Sequence, residues 1–372
     1  MNPKVKAIPP SAIREINDQK RHDAIDLGLG QPRLVPDMLP FQRAMDWVQQ
    51  NGCPYSPNAG FVELRTEIAK HFGYPGGPEN VCVTVGSQEA LYLPIKALLN
   101  PEHDEAVVVT PTFPAYQKLC YIEGVRVVEA PLSPRDGFAP SAAAVLARVN
   151  EKTRLVALAS PCNPTGRIWP ENELRLLAQG LLSLPRPPYL LSDEVYAALH
   201  FTPQAPASAI RFYPHTLVAS SLSKSCALTG LRLGWILAPE TEMRLMYKTH
   251  QYVVSCADTF AQRVALEIFR QPRLFSAHRP HYQAQRQILV EELVALDLDH
   301  IPPEGSFYCL LRLPPKWADR SMDAALKVMR EQNVVCIPSS IFGSEGFLRV
   351  TFVAPPEDLR EGLRRIHRTL WL

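Results

Sequence analysis

No apolar run in this chain reaches the roughly 20 residues that a membrane-crossing helix needs. The basic start Met1-Asn2-Pro3-Lys4-Val5-Lys6 has no apolar stretch behind it. Neither a membrane span nor a secretory leader is expected. An excess of one charge is also missing: 39 Lys and Arg stand against 37 Asp and Glu, a formal net charge of +2. That balance argues for neither a nucleic-acid nor a membrane partner. Eight cysteines occur singly, at 53, 82, 120, 162, 226, 256, 309 and 336, without a CxxC pair. The pattern argues against a zinc site or a disulfide framework and for a reducing cytoplasm. Gly28-Leu29-Gly30 lacks a third glycine and a preceding βαβ context, and there is no Walker-type loop, so neither nucleotide signature applies. His278 and His281, three apart in an arginine-rich helical stretch, read as a surface face, and no metal is expected.

What is present is a core-forming chain of 372 residues, 46% hydrophobic and 20% charged, room for one large or two modest domains. Its 36 prolines are dispersed between elements, where they stiffen loops. From about residue 60 to 240, short apolar runs alternate with amphipathic stretches. Strands are expected at 81–85, 106–109, 126–130, 155–159, 189–191, 216–219 and 232–237, with helices at 61–72, 88–99, 140–149, 171–184 and 239–250. This alternation predicts an α/β fold, a doubly wound and mostly parallel sheet between helices. After about residue 270 the pattern changes to a smaller α+β unit: a long helix over 275–296, an apolar run at 307–313, a helix over 322–331, strands at 334–337 and 347–353, and a last helix from Pro356. The expected division is 39–275 as a large domain, with 1–38 and 276–372 as a small one.

The polar residues that stand out follow the predicted strands, where ligands of such sheets bind. Lys224, in Ser220-Ser221-Leu222-Ser223-Lys224-Ser225, sits among small hydroxylated residues after an apolar run, with Arg232 eight positions on between two glycines. A desolvated lysine is an amine nucleophile able to form a Schiff base, and serines with an arginine suit a phosphate. Lysine plus phosphate anchor is what a pyridoxal phosphate (PLP) enzyme requires. Ser87 and Gln88 open a helix after a strand, a ready phosphate site, although an ordinary turn reads the same way. Asp193, ending the apolar Tyr189-Leu190-Leu191-Ser192 run, needs a cationic partner such as a protonated pyridine nitrogen, or serves as a helix cap. Tyr196 would donate to a ring oxygen, or only pack. Asn163, fixed by two prolines and Gly166, would do the same, or close an Asx-turn. Arg349, inside an apolar strand-like run, suits a substrate carboxylate, an internal salt bridge or a solvent-facing position. Phe113 would stack on a flat ring, or pack in a loop.

Together these motifs, from Gly28 to Arg349, resemble those of the fold-type I PLP enzymes, and within them the class I/II aminotransferases. The resemblance implies that Lys224 is the Schiff-base lysine and general base. It implies that Arg232, Ser221, Ser87 and Gln88 hold the phosphate, Asp193 pairs with the pyridine nitrogen, Tyr196 and Asn163 bond the 3′-oxygen and Phe113 stacks on the ring. Gly30, Asn163 and Arg349 would bind the substrate, Gly30 and Arg349 holding its carboxylate. Tyr55, in Tyr55-Ser56-Pro57-Asn58-Ala59-Gly60, is similar to the tyrosine that reaches the neighbouring subunit's phosphate, which implies a homodimer. Where some prokaryotic aspartate aminotransferases carry a lysine that reads a side-chain carboxylate, this chain has Gln88, which weakens an acidic-substrate assignment.

The expected function is ping-pong amino transfer between an α-amino acid and a 2-oxo acid. A carbon–sulfur β-lyase on the same scaffold is the alternative. An aminotransferase-like regulator is a remote one, since the motifs begin within about thirty residues of Met1, which leaves no room for a helix-turn-helix.

Overall fold

The structure is a computed structural model that describes residues 6, 8, 15, 16 and 19–372. The Met1–Lys6 motif, apart from Lys6, and much of the first 18 residues assigned to the small domain lie outside the described residues. Strands run in chain order as β1 (Ile25–Asp26), β2 (Val81–Thr84), β3 (Glu105–Thr110), β4 (Arg126–Pro131), β5 (Thr153–Ala159), β6 (Tyr189–Asp193), β7 (Thr216–Ser221), β8 (Gly234–Leu237), β9 (His300–Ile301), β10 (Tyr308–Arg312), β11 (Val334–Val335), β12 (Ile337–Pro338) and β13 (Phe347–Thr351). Helices are α1 (Leu39–Asn51), α2 (Val62–His71), α3 (Gly86–Leu98), α4 (Ala115–Glu123), α5 (Ala142–Leu146), α6 (Glu171–Leu182), α7 (Leu222–Ser225), α8 (Glu240–Val253), α9 (Thr259–Phe269), α10 (Arg279–Ala295), α11 (Ser321–Gln332) and α12 (Pro356–Leu370).

Apolar runs such as Val107-Val108-Val109 and Leu190-Leu191 are buried on both faces, as a helix-covered parallel sheet requires. Seven strands form the central sheet in the order β2-β8-β7-β6-β5-β3-β4. Only β8 runs against its neighbours, antiparallel to β2 and β7; β3–β4, β3–β5, β5–β6 and β6–β7 pair in parallel. A second, antiparallel sheet has the order β12-β13-β10-β9. β1 pairs in parallel with β11, Ile25 opposite Val334, and Thr351 N–H donates to the Leu27 carbonyl. Residues 25–27 are thus stitched to the C-terminal strands. Ile25 and Leu27 share a core with Leu289, Leu293, Leu363 and Ile366.

Three expectations shift. The run 334–337 is two short strands that serve different sheets, β11 with β1 and β12 with β13. The helix expected over 140–149 shortens to α5, where the Ser141 hydroxyl accepts from Ala144 N–H as the cap. Arg232 does not begin β8. It takes a left-handed backbone, φ 55°, after the 3₁₀ turn Thr229–Leu231, and the strand starts at Gly234.

Candidate active site

Parallel strands release their polar ends on one edge of the sheet. β6 ends at Asp193, β7 ends at Ser221, the turn after β5 carries Asn163, and β2 leads into α3. There a cavity of about 320 Å³ is lined by Gly30, Ser87, Gln88, Phe113, Asn163, Asp193, Tyr196, Lys224 and Arg232. Nine residues singled out in the sequence thus meet in one hollow. Ser221 and Arg349 lie outside its lining, and Tyr55, 88% exposed, stands away from it on the surface.

Lys224 lies on α7, the short helix that Ser221 caps by accepting the Ser223 N–H. Its Nζ donates to the Gly30 carbonyl at 2.7 Å. Burial pushes the ammonium below the usual lysine range; Tyr308 opposes that shift, and Arg349 and Arg232 reinforce it. Asp193 is buried at the end of β6, the strand beside β7. Burial raises its carboxyl pKa despite two stabilising hydrogen bonds: Tyr116 Oη donates at 2.7 Å and the Val195 N–H at 3.1 Å. The local Val195 bond resembles a turn cap, yet Tyr116 aims the second oxygen.

The α3 entrance is crowded by design of its glycines. Gly86 has φ +71°, and a Cβ there would meet Arg232 Nη2 at 2.6 Å. A Cβ on Gly234 would meet the Gly86 carbon at 2.5 Å and Ser87 N at 2.6 Å. The bare backbone thus lets the guanidinium lie against the first turn of α3, whose unpaired N–H groups carry partial positive charge. Arg232 itself donates to the Thr229 carbonyl at 3.0 Å.

Arg349 is 2% exposed. Neither alternative for it holds: it forms no salt bridge among the described residues and does not face solvent. Nη1 donates to Asn163 Oδ1 at 2.9 Å and Nη2 to the Gly28 carbonyl at 2.6 Å. Its buried Nε has no partner among the described residues, which leaves a donor for a further acceptor. Asn163 is therefore held by a distant strand rather than by its own turn.

Two lining residues escaped the sequence reading. Tyr308, on β10, hydrogen-bonds Tyr196 hydroxyl to hydroxyl at 3.0 Å and lies under the Arg349 guanidinium, 4.3 Å from Cζ to the ring centre; a Cβ on Gly30 would collide with its hydroxyl. Tyr116 orients Asp193. Tyr116 follows Phe113 by three positions, but in sequence neither tyrosine differs from a core aromatic.

This arrangement has close counterparts. The family described as Aminotransferase class I and II matches residues 23–366. The aspartate/prephenate aminotransferase of Thermus thermophilus is 31% identical over 99% of this chain and 98% of its own. A probable N-acetyl-LL-diaminopimelate aminotransferase of Bacillus subtilis is 30% identical over 98% and 94%. Among solved structures, an aspartate aminotransferase from Thermus thermophilus with maleate superposes with a TM-score of 0.93 at 30% identity, covering 100% of this chain and 99% of that one. An aromatic aminotransferase from Pyrococcus horikoshii gives 0.87 at 27% identity, over 96% and 98%. These matches carry amino-group transfer and do not favour the lyase. With its seven-stranded sheet and the cavity at that sheet's edge, the chain belongs to the class I and II aminotransferases, enzymes that transfer amino groups.

Proposed function

We propose that the enzyme works with PLP and moves an amino group between an α-amino acid and a 2-oxo acid. The observation that carries the reading is a half-buried lysine, its pKa lowered by desolvation, sharing one cavity with a buried carboxylate and an arginine-backed helix start. The donor set suits the group: an amine for its aldehyde, an anion for its ring nitrogen, and a glycine-lined cradle for its phosphate. When bound, PLP supplies an electron-withdrawing ring that acidifies the substrate's α-hydrogen.

The chain's own residues do the rest. Lys224 Nζ, partly desolvated by the cavity walls, sheds its proton at lower pH than an exposed lysine would and so is available as nucleophile and then as base. Asp193, aimed by Tyr116, holds a positive ring nitrogen in place; that charge would repay the cost of its burial. Arg232, Ser87, Gln88 and, behind them, Ser221 would hold the phosphate. Phe113 would cover the ring, while Tyr196 and Asn163 would face its oxygen. Arg349 and the Gly30 backbone would bind the substrate carboxylate.

We further propose a homodimer in which exposed Tyr55 reaches the neighbouring cavity, two domains divided as 39–275 against 1–38 with 276–372, and a cytoplasmic setting. No helix among the described residues is long and apolar enough to cross a membrane.

The test is reductive trapping. Borohydride treatment of the PLP-loaded protein should attach the cofactor covalently to the Lys224 peptide, read by mass spectrometry. Lys224→Ala should trap none and lose more than about 10³-fold in kcat. Labelling at another lysine, or normal turnover by the variant, would sink the assignment. Parallel double-reciprocal lines should accompany the ping-pong order.

A further inference from the structure

Beneath the start of α3 lies a buried ion pair that the scheme above leaves unused. Glu89 stands in the first turn of α3, next to Gln88, and His250 near the end of α8. His250 is fully buried and Glu89 is 8% exposed. Imidazole Nδ1 lies 2.8 Å from Glu89 Oε1, and Nε2 lies 2.8 Å from the Asn58 carbonyl oxygen. A carbonyl oxygen only accepts, so Nε2 carries a proton. An ionised carboxylate also only accepts, so a second proton sits between Nδ1 and Oε1. The pair therefore holds one proton more than a neutral imidazole beside a carboxylate, and its charges cancel.

The pair also joins segments that serve the cavity. Glu89 Oε2 accepts the Val85 N–H at 2.6 Å, immediately before the turn that opens α3. Asn58 belongs to the loop that carries Tyr55, and its side-chain amide donates to the Ser255 carbonyl at 2.7 Å. Without His250, an uncompensated carboxylate would stand one residue behind the proposed phosphate cradle, where little water screens it.

We infer that His250 is a positioning residue for the cofactor's phosphate: it cancels the Glu89 charge behind the cradle and ties the α3 entrance to the Tyr55 loop. The inference rests on the PLP reading above.

The test titrates the full-length parent, His250→Gln, Glu89→Gln and the double variant with PLP and with pyridoxal, which lacks the phosphate, following the cofactor's absorbance. H250Q should weaken PLP about tenfold or more while pyridoxal stays within about twofold. E89Q, which keeps an acceptor for Val85 N–H, should bind PLP at least as well as the parent. The double variant should return to within about threefold of the parent, because its charge is again balanced. A double variant weaker than H250Q, equal losses for PLP and pyridoxal, or an unchanged H250Q would each overturn the inference. Should H250Q not fold, E89Q decides alone: retained or tighter PLP affinity supports the inference, and a tenfold loss overturns it. A parent that binds no PLP would bring down the cofactor reading and this inference with it, whereas a parent that binds while the variants do not differ overturns only the inference.

Discussion

Single residues here carry the cost of burying a carboxylate. Glu194, beside Asp193, is pushed up to about 7 by burial, although Ser192, Ser208 and the Ala209 N–H all donate to its Oε1. A carboxyl whose folded pKa exceeds its unfolded value, 4.5 for glutamate, keeps its proton longer in the native state. Stability is then lost as pH rises from about 4.5 through about 7. Glu194→Gln reproduces all three bonds at a carbonyl oxygen, so it should flatten that loss. The gain at pH 8 over pH 5 would be at most about 3 kcal/mol in denaturant melts. Asp193, also raised by burial, should behave alike in the cofactor-free protein: Asp193→Asn should melt higher at neutral pH. The same change should cut turnover by about 10²-fold or more, since a neutral amide cannot pair with a positive ring. A variant both less stable and fully active would contradict both arguments. That Lys224, Asp193 and Arg232 line one cavity was foreshadowed in sequence, because each follows an apolar run or a glycine turn, although a helix cap was an equal reading for Asp193. Tyr116 and Tyr308 were not, because an aromatic ring in a core and one lining a cavity share the same neighbours in sequence.

At the level of elements, strands between residues 80 and 237 were readable from their apolar runs, since a strand covered on both faces carries little else. Helices α1, α4 and α9 went unread. α1 has Pro at its start and α4 follows Pro111 and Pro114, so turn signals masked both beginnings; α9 is buried along most of its length, and only the narrow Arg263–Glu267 face interrupts its apolar run. Nor does periodicity reveal how closely β8 approaches α3. Gly234 leaves only the space of a hydrogen between that strand and the Gly86–Ser87 backbone. Gly234→Ala should therefore cost about 1–3 kcal/mol and weaken PLP binding more than pyridoxal binding, because the strain falls on the phosphate end. Calorimetry with the two titrations checks this; a variant with normal melting and normal affinity would refute it.

For the whole molecule, the proposed dimer makes a complementation test available. Lys224→Ala and Tyr55→Ala proteins, each impaired alone, should regain activity when mixed under exchange conditions. A mixed dimer contains one site with both defects and one with neither. No recovery after verified exchange would show that Tyr55 serves its own subunit's site or none. The second sheet, formed mostly after residue 300, was foreshadowed by the change in pattern near residue 270, but the β1–β11 pairing was not, because two-residue strands carry no period. That pairing reaches into the site itself: Lys224 grips Gly30, and Arg349 grips Gly28 from 321 positions away. Such a contact sets an order of events during synthesis. At 5–20 residues per second the segment at Gly28 waits roughly 16 to 64 s for its arginine to be made. The large sheet can close in that interval, but the proposed substrate end of the cavity cannot, so on this reading a growing chain has no competent site until almost the last strand has been translated.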